Sequence, residues 1–172
     1  MTGVTLGDRL LQVGCTDASL MGAIGLKVGL SGRVCAVVPD DTHAARAKRA
    51  AEKSGFLLEL ETGSLERIPF EDAAFNLIIV DNQDGMLSSL RPEQRVAILQ
   101  EAHRALAPRG RIVVIERAAR GGLGALFGSA ASAPVDQHYK SSGAIAALEA
   151  EGFRAARLLA ERDGVSFFEG VR

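Results

Sequence analysis

Cysteine is scarce: Cys15 and Cys35 are the only two among 172 residues. They form neither a C-x-x-C pair nor a disulfide framework. Each lies in an apolar, strand-like context, where a free cysteine behaves as a small hydrophobe. Histidine is as sparse. His43, His103 and His138 lie far apart, and no metal-ligand spacing joins them. Charge of one sign is missing too, because 20 basic residues face 21 acidic ones for a net charge of −1. That balance indicates no nucleic acid or anionic membrane as partner. The basic group Arg46, Lys48 and Arg49 reads as a solvated helix face. No apolar run approaches bilayer length, and Met1 to Arg9 has no long apolar h-region. The sequence reads as a soluble, cytoplasmic protein.

What the chain does have is apolar content, 47% of residues. Its length fits one domain. Strand and helix patterns alternate from the start. Arg9 to Gly14 reads as a buried strand, Ala18 to Gly29 as a helix on a sheet, and Arg33 to Val38 as a second strand. Asp40, Asp41 or Thr42 caps a helix running to Ser54, with Gly55 placed as its αL terminator. Phe56 to Glu61 reads as a third strand. Ala74 to Asp81 is a continuous apolar fourth, as in a parallel sheet covered on both faces. Pro92 opens a helix to Ala107, and Arg111 to Glu116 is the fifth strand. Residues 117–140 form a small-residue stretch read as a loop, with a short helix near Leu123 to Phe127. A helix over Ser141 to Glu151 precedes strands Phe153 to Ala160 and Val165 to Gly170, joined by the turn signal Asp163-Gly164. Strands separated by helices predict a doubly wound α/β fold with a mostly parallel sheet and a terminal antiparallel hairpin.

Three segments carry a resemblance. Leu10-Leu11-Gln12-Val13-Gly14-Cys15 resembles a first strand and its glycine turn. Gly63-Ser64-Leu65-Glu66-Arg67-Ile68-Pro69-Phe70, leading into Phe75-Asn76-Leu77-Ile78, has a Glu-x-hydrophobic-Pro-Phe spacing ahead of strand four. Glu101 to Val114 resembles a helix-turn-strand unit around a third motif. Together they resemble the class I S-adenosylmethionine-dependent methyltransferases, particularly the type 11 methyltransferase domains. The resemblance implies a seven-stranded sheet of order 3-2-1-4-5-7-6 and one domain over residues 1–172. Only about eight residues precede the first strand, so the resemblance implies that the usual N-terminal lid helices are lacking and that the cleft would be open unless the glycine-rich 121–134 loop or a partner covers it. An open cleft suits a macromolecular substrate or no substrate at all, and a homodimer is compatible with it.

The same resemblance implies the site residues. S-adenosylmethionine would lie across the carboxyl ends of strands one and two. It would meet Gln12, Gly14, Cys15, Thr16, Val38, Asp40, Ser64, Leu65 and Asp81. The methyl acceptor would meet it near the ends of strands four and five, where Asp81, Asp84 or His138 could act as a base. For Asp84 the plainer reading is a helix cap, for Asp81 a strand end and for His138 a surface loop residue.

Several positions depart from the family pattern. Of a Gly-x-Gly-x-Gly turn only Gly14 survives. Gln12 replaces an acid, Val38 stands where the ribose-binding acid is usual, and Ser64 and Asn76 replace two further acids. A charge-assisted hydrogen bond contributes roughly 1.5–3 kcal/mol, so losing two weakens binding by about two to four orders of magnitude. Two functions therefore stand: methyl transfer to an unidentified acceptor with weakened cofactor binding, or a silent pseudo-methyltransferase serving as a binding or assembly module. A nicotinamide-dependent oxidoreductase would need G-x-G-x-x-G after the first strand, and residues 14–19 lack it.

Overall fold

The computed structural model describes residues 2–117 and 137–172, and of 137–142 the backbone alone. The elements, in chain order, are β1 (Arg9–Val13), α1 (Ala18–Val28), β2 (Arg33–Val38), α2 (Asp41–Ser54), β3 (Glu59–Thr62), β4 (Phe75–Asn82), α3 (Met86–Ser89), α4 (Pro92–Ala105), β5 (Leu106–Arg117), α5 (Gln137–Ala150), β6 (Arg154–Arg162) and β7 (Val165–Val171). They build one seven-stranded sheet of order β3-β2-β1-β4-β5-β7-β6, the order predicted. Strands β3 through β5 run parallel, and β7 pairs antiparallel with both β5 and β6.

The apolar run of β4 explains its place. Seven of its eight residues are buried, and it pairs with β1 on one side and β5 on the other. Alternation then sorts the neighbouring side chains between two faces. One core joins Leu11, Val13, Ile78 and Val80 to Ile98 and Leu99 of α4 and Leu148 of α5. On the opposite face Leu10, Leu77, Ile79 and Val113 pack with Ile24 and Val28 of α1. A smaller core sets Cys15, Ala36 and Val38 against Met21 of α1 and the alanines Ala44, Ala47 and Ala50 of α2.

Caps fix where the helices begin. The Asp17 carboxylate accepts from the Ser19 and Leu20 amides and starts α1. Asp40 does the same for α2, and Gly55 closes that helix in the αL conformation, at φ 71° and ψ 37°. At the amino ends of β1 and β4, Asn76 accepts from the Arg9 amide and donates to Asp8. In the hairpin turn Asp163 and Gly164 both have positive φ, 53° and 72°. That is the conformation the Asp-Gly pair favours between two antiparallel strands.

Three expectations change. β3 begins at Glu59, and Phe56 and Leu58 instead reach the α1-side cores from the connecting segment. β5 begins at Leu106, which pairs with Phe75 across a register shift in the ladder. The last helix starts at Gln137 and is broken at Gly143, where φ is 70°. The expected short helix at Leu123 to Phe127 lies outside the described residues. No helix among the described residues is long and apolar enough to cross a membrane.

Candidate functional site

Sheet order places the candidate site. β1 leads back to β2 and β3, while β4 leads away to β5, so the chain reverses direction between β1 and β4. Ligands of open α/β sheets bind outside the carboxyl ends of the strands at such a switch point. Here the crevice is bounded by the turn after β1, residues 14–17, and by Asp81 to Gln83 at the end of β4.

Gly14 has φ +78°, and a Cβ there would stand 3.1 Å from the Asp81 carbonyl oxygen. A glycine is needed for both reasons. The Asp81 carboxylate holds the turn. Its Oδ2 accepts from the Thr16 amide at 2.7 Å and the Asp17 amide at 3.2 Å. Its Oδ1 accepts from the Gln83 side-chain amide at 3.2 Å. The residue is only 1% exposed. Asp81 therefore clasps β4 to the β1–α1 turn. Asn82 adds a second tie, donating to Glu116 of β5 and accepting from the Leu87 amide of α3.

Two polar atoms of the turn region stay unsatisfied. Gln12 is fully buried, and its Nε2 donates to the Gly14 carbonyl at 3.1 Å. Its Oε1, and the buried Thr16 Oγ1, have no hydrogen-bond partner among the described residues. Buried polar atoms are rarely left so, and an unpaired one marks a place for a bound group or water. Both atoms can accept a hydrogen bond.

Cys15 and Val38 lie beneath this surface. Both are completely buried, packed with Met21 and the α2 alanines. Burial, then the nearby Asp81, pushes the Cys15 thiol up to about 12. Burial likewise pushes Cys35 up to about 12. At pH 8 such thiols carry about one thiolate in ten thousand. Iodoacetamide is therefore expected to leave both cysteines unmodified in the folded protein and to label both in denaturant, read by mass spectrometry. Labelling of Cys15 in the native state would show that the turn opens.

Asp40, Asp84 and a histidine that composition alone left unassigned come together above β1. Asp40 accepts from the His43 amide and its Nδ1, each at 2.9 Å. The backbone hydrogen bond first, and the imidazole second, hold the Asp40 carboxyl below its ordinary range. His43 Nε2 lies 3.6 Å from Asp84, and Asp84 also accepts from the Met86 amide at the start of the short α3. An aspartate cap with histidine three residues on was a readable signal for this cluster. His138 lies on α5 where side chains are outside the described residues.

Ser64 and Leu65 sit across the crevice, after β3. The exposed Ser64 accepts from the Glu66 amide, and Leu65 is 7% exposed. They line a cavity of about 250 Å³ with Pro39, Met86, Leu90 and Ile98. Its walls are largely apolar and it opens at the carboxyl ends of β2 and β3. Such a pocket suits a flat apolar ring with one polar edge.

The profile of the methyltransferase-domain family matches residues 10–110, more than half of the chain. The chain belongs to that family. Its fold agrees. A S-adenosylmethionine-dependent methyltransferase from Aquifex aeolicus superposes with a TM-score of 0.73 at 18% identity, over 99% of this chain and 85% of that one. The apo form of the methyltransferase SibL superposes with a TM-score of 0.70 at 19% identity, over 96% of this chain and 50% of its own. In sequence, an uncharacterized 37.1 kDa protein in transposon TN4556 of Streptomyces fradiae is 29% identical over 110 residues. That match spans 64% of this chain and only 30% of the relative.

Proposed function

We propose that the chain binds S-adenosylmethionine in the β1/β4 crevice and transfers its methyl group, holding the cofactor weakly at the ribose. The observation that carries this reading is the pair of unsatisfied buried acceptors, Gln12 Oε1 and Thr16 Oγ1, beside the Gly14 turn. They fit the cofactor's ammonium group, a donor with no acceptor capacity. The apolar cavity at Pro39, Leu65, Met86 and Leu90 fits its adenine, and the Ser64 hydroxyl stands at the rim for the amino edge. When bound, S-adenosylmethionine supplies an electrophilic methyl group on a sulfonium. The protein's part is to fix that group in line with an acceptor and to exclude water around it.

Weak binding follows from the acids. Val38 is sealed in the core, and Asp40 is committed to His43 and the α2 amides. Neither Val38 nor Asp40 therefore offers the ribose diol an unengaged carboxylate. That same observation favours a second reading, a member of the family that no longer turns over and serves as a binding module.

Titration calorimetry with S-adenosylmethionine and S-adenosylhomocysteine tests both. The expected dissociation constants lie in the high micromolar to millimolar range, weakened by the absent ribose acid. An absence of heat at millimolar ligand, with the protein folded, would overturn the cofactor reading and leave the module. With binding present, methyl release in a screen of small-molecule and protein acceptors separates the enzyme from the module.

A further inference from the structure

The sheet order gives the His43–Asp84 contact a consequence of its own. His43 belongs to the first turn of α2, which follows β2, whereas Asp84 follows β4. β1 lies between those two strands. Two strand spacings separate β2 from β4, about 9.6 Å. The imidazole therefore bridges from the β2 side to the β4 side, across the carboxyl end of β1 where the switch-point crevice lies. Its orientation is fixed from both ends. Asp40 takes Nδ1 at 2.9 Å and 3.0 Å through its two oxygens, Asp84 faces Nε2 at 3.6 Å, and the side chain is only 16% exposed. Asp84 is itself held by the Met86 amide at 3.0 Å. Pro39 and Met86, neighbours of Asp40 and Asp84, line the 250 Å³ cavity.

We propose that His43 latches the crevice shut, so that a ligand reaching from the Gly14 turn to the Ser64 cavity must first displace the imidazole from Asp84. The reading rests on the cofactor assignment above. The latch would tax binding by the free energy of the contact, because only the unlatched fraction of the protein accepts ligand.

The test is calorimetric titration of wild type, His43→Ala and Asp84→Asn with S-adenosylhomocysteine, with the His43 ring protons followed by NMR in the wild type. His43→Ala keeps the backbone amide that Asp40 caps, and a thermal melt checks its fold. A surface contact of this kind is worth up to about fivefold in affinity, so both variants are expected to bind about fivefold tighter. The ring resonances are expected to move on titration. Wild-type binding that His43→Ala leaves unchanged or weakens would overturn the latch and leave the cofactor reading standing. Binding by none of the three proteins would overturn both.

Discussion

Asp81→Ala is expected to lower stability by about 2–4 kcal/mol, since it leaves part-buried backbone donors with no acceptor. The Thr16 and Asp17 amides both point at one carboxylate oxygen, and the Gln83 side chain points at the other. Asp81 is 1% exposed, so water cannot step in at the same geometry. The loss reaches further than one contact. The clasp joins β4, at the centre of the sheet, to the turn that starts α1. Urea unfolding measures the cost as a lower midpoint at unchanged slope. Amide hydrogen exchange places it, with faster exchange expected at Thr16 and Asp17 and unchanged protection in β7. Asp81→Asn retains one acceptor oxygen and is expected to lose about 1 kcal/mol. If Asp81→Ala unfolded at the wild-type midpoint, the carboxylate would not be what holds the turn.

The parts of this molecule legible in its sequence are those where local chemistry and tertiary packing agree. The limits of β2 and α2 could be read closely because Gly32, the Asp40 cap and the Gly55 terminator each impose a local geometry. β4 could be placed at the sheet centre because Leu77, Ile78, Ile79 and Val80 leave no polar face. β3 was less legible. It pairs with β2 alone, and Phe56 and Leu58 are apolar because they reach helix-side cores from outside the strand. The break at Gly143 was hidden because the flanking residues all tolerate a helix, and only the backbone reveals the positive φ.

Family likeness pointed to Gly14, Gln12 and Ser64, but the contacts around them could not be read from it. Asp81 read as a cofactor contact, a base or a strand end, and the fold adds a clasp that the sequence did not show, its oxygens facing amides 64 and 65 residues earlier. Val38 looked like a lost ligand, and the alternation of β2 turns it instead into the α2-facing core beside Ala36. His43 carried a local signal in its spacing from Asp40. Its partner Asp84 could be found only from the sheet order that folds β4 back beside β1.

Gly14→Val is the second large effect, expected to destabilise by about 3 kcal/mol and to abolish cofactor binding. Two costs combine. At φ +78° any side chain is strained, and a β-branched one most. The new Cβ would also stand 3.1 Å from the Asp81 carbonyl oxygen, a backbone atom that cannot rotate away. Gly55 separates these costs, because it has φ +71° with nothing within 4 Å of an added Cβ. Gly55→Ala therefore measures backbone strain alone, about 1 kcal/mol. Gly14→Ala is expected to exceed it by about 1 kcal/mol, the price of pushing β1 away from β4 at the switch point. Equal losses at the two glycines in urea unfolding would show that the crevice has slack at Asp81. In that case Gly14→Ala should still bind S-adenosylhomocysteine. A larger loss at Gly14, together with lost binding, would show that the close approach of β1 to β4 shapes the site.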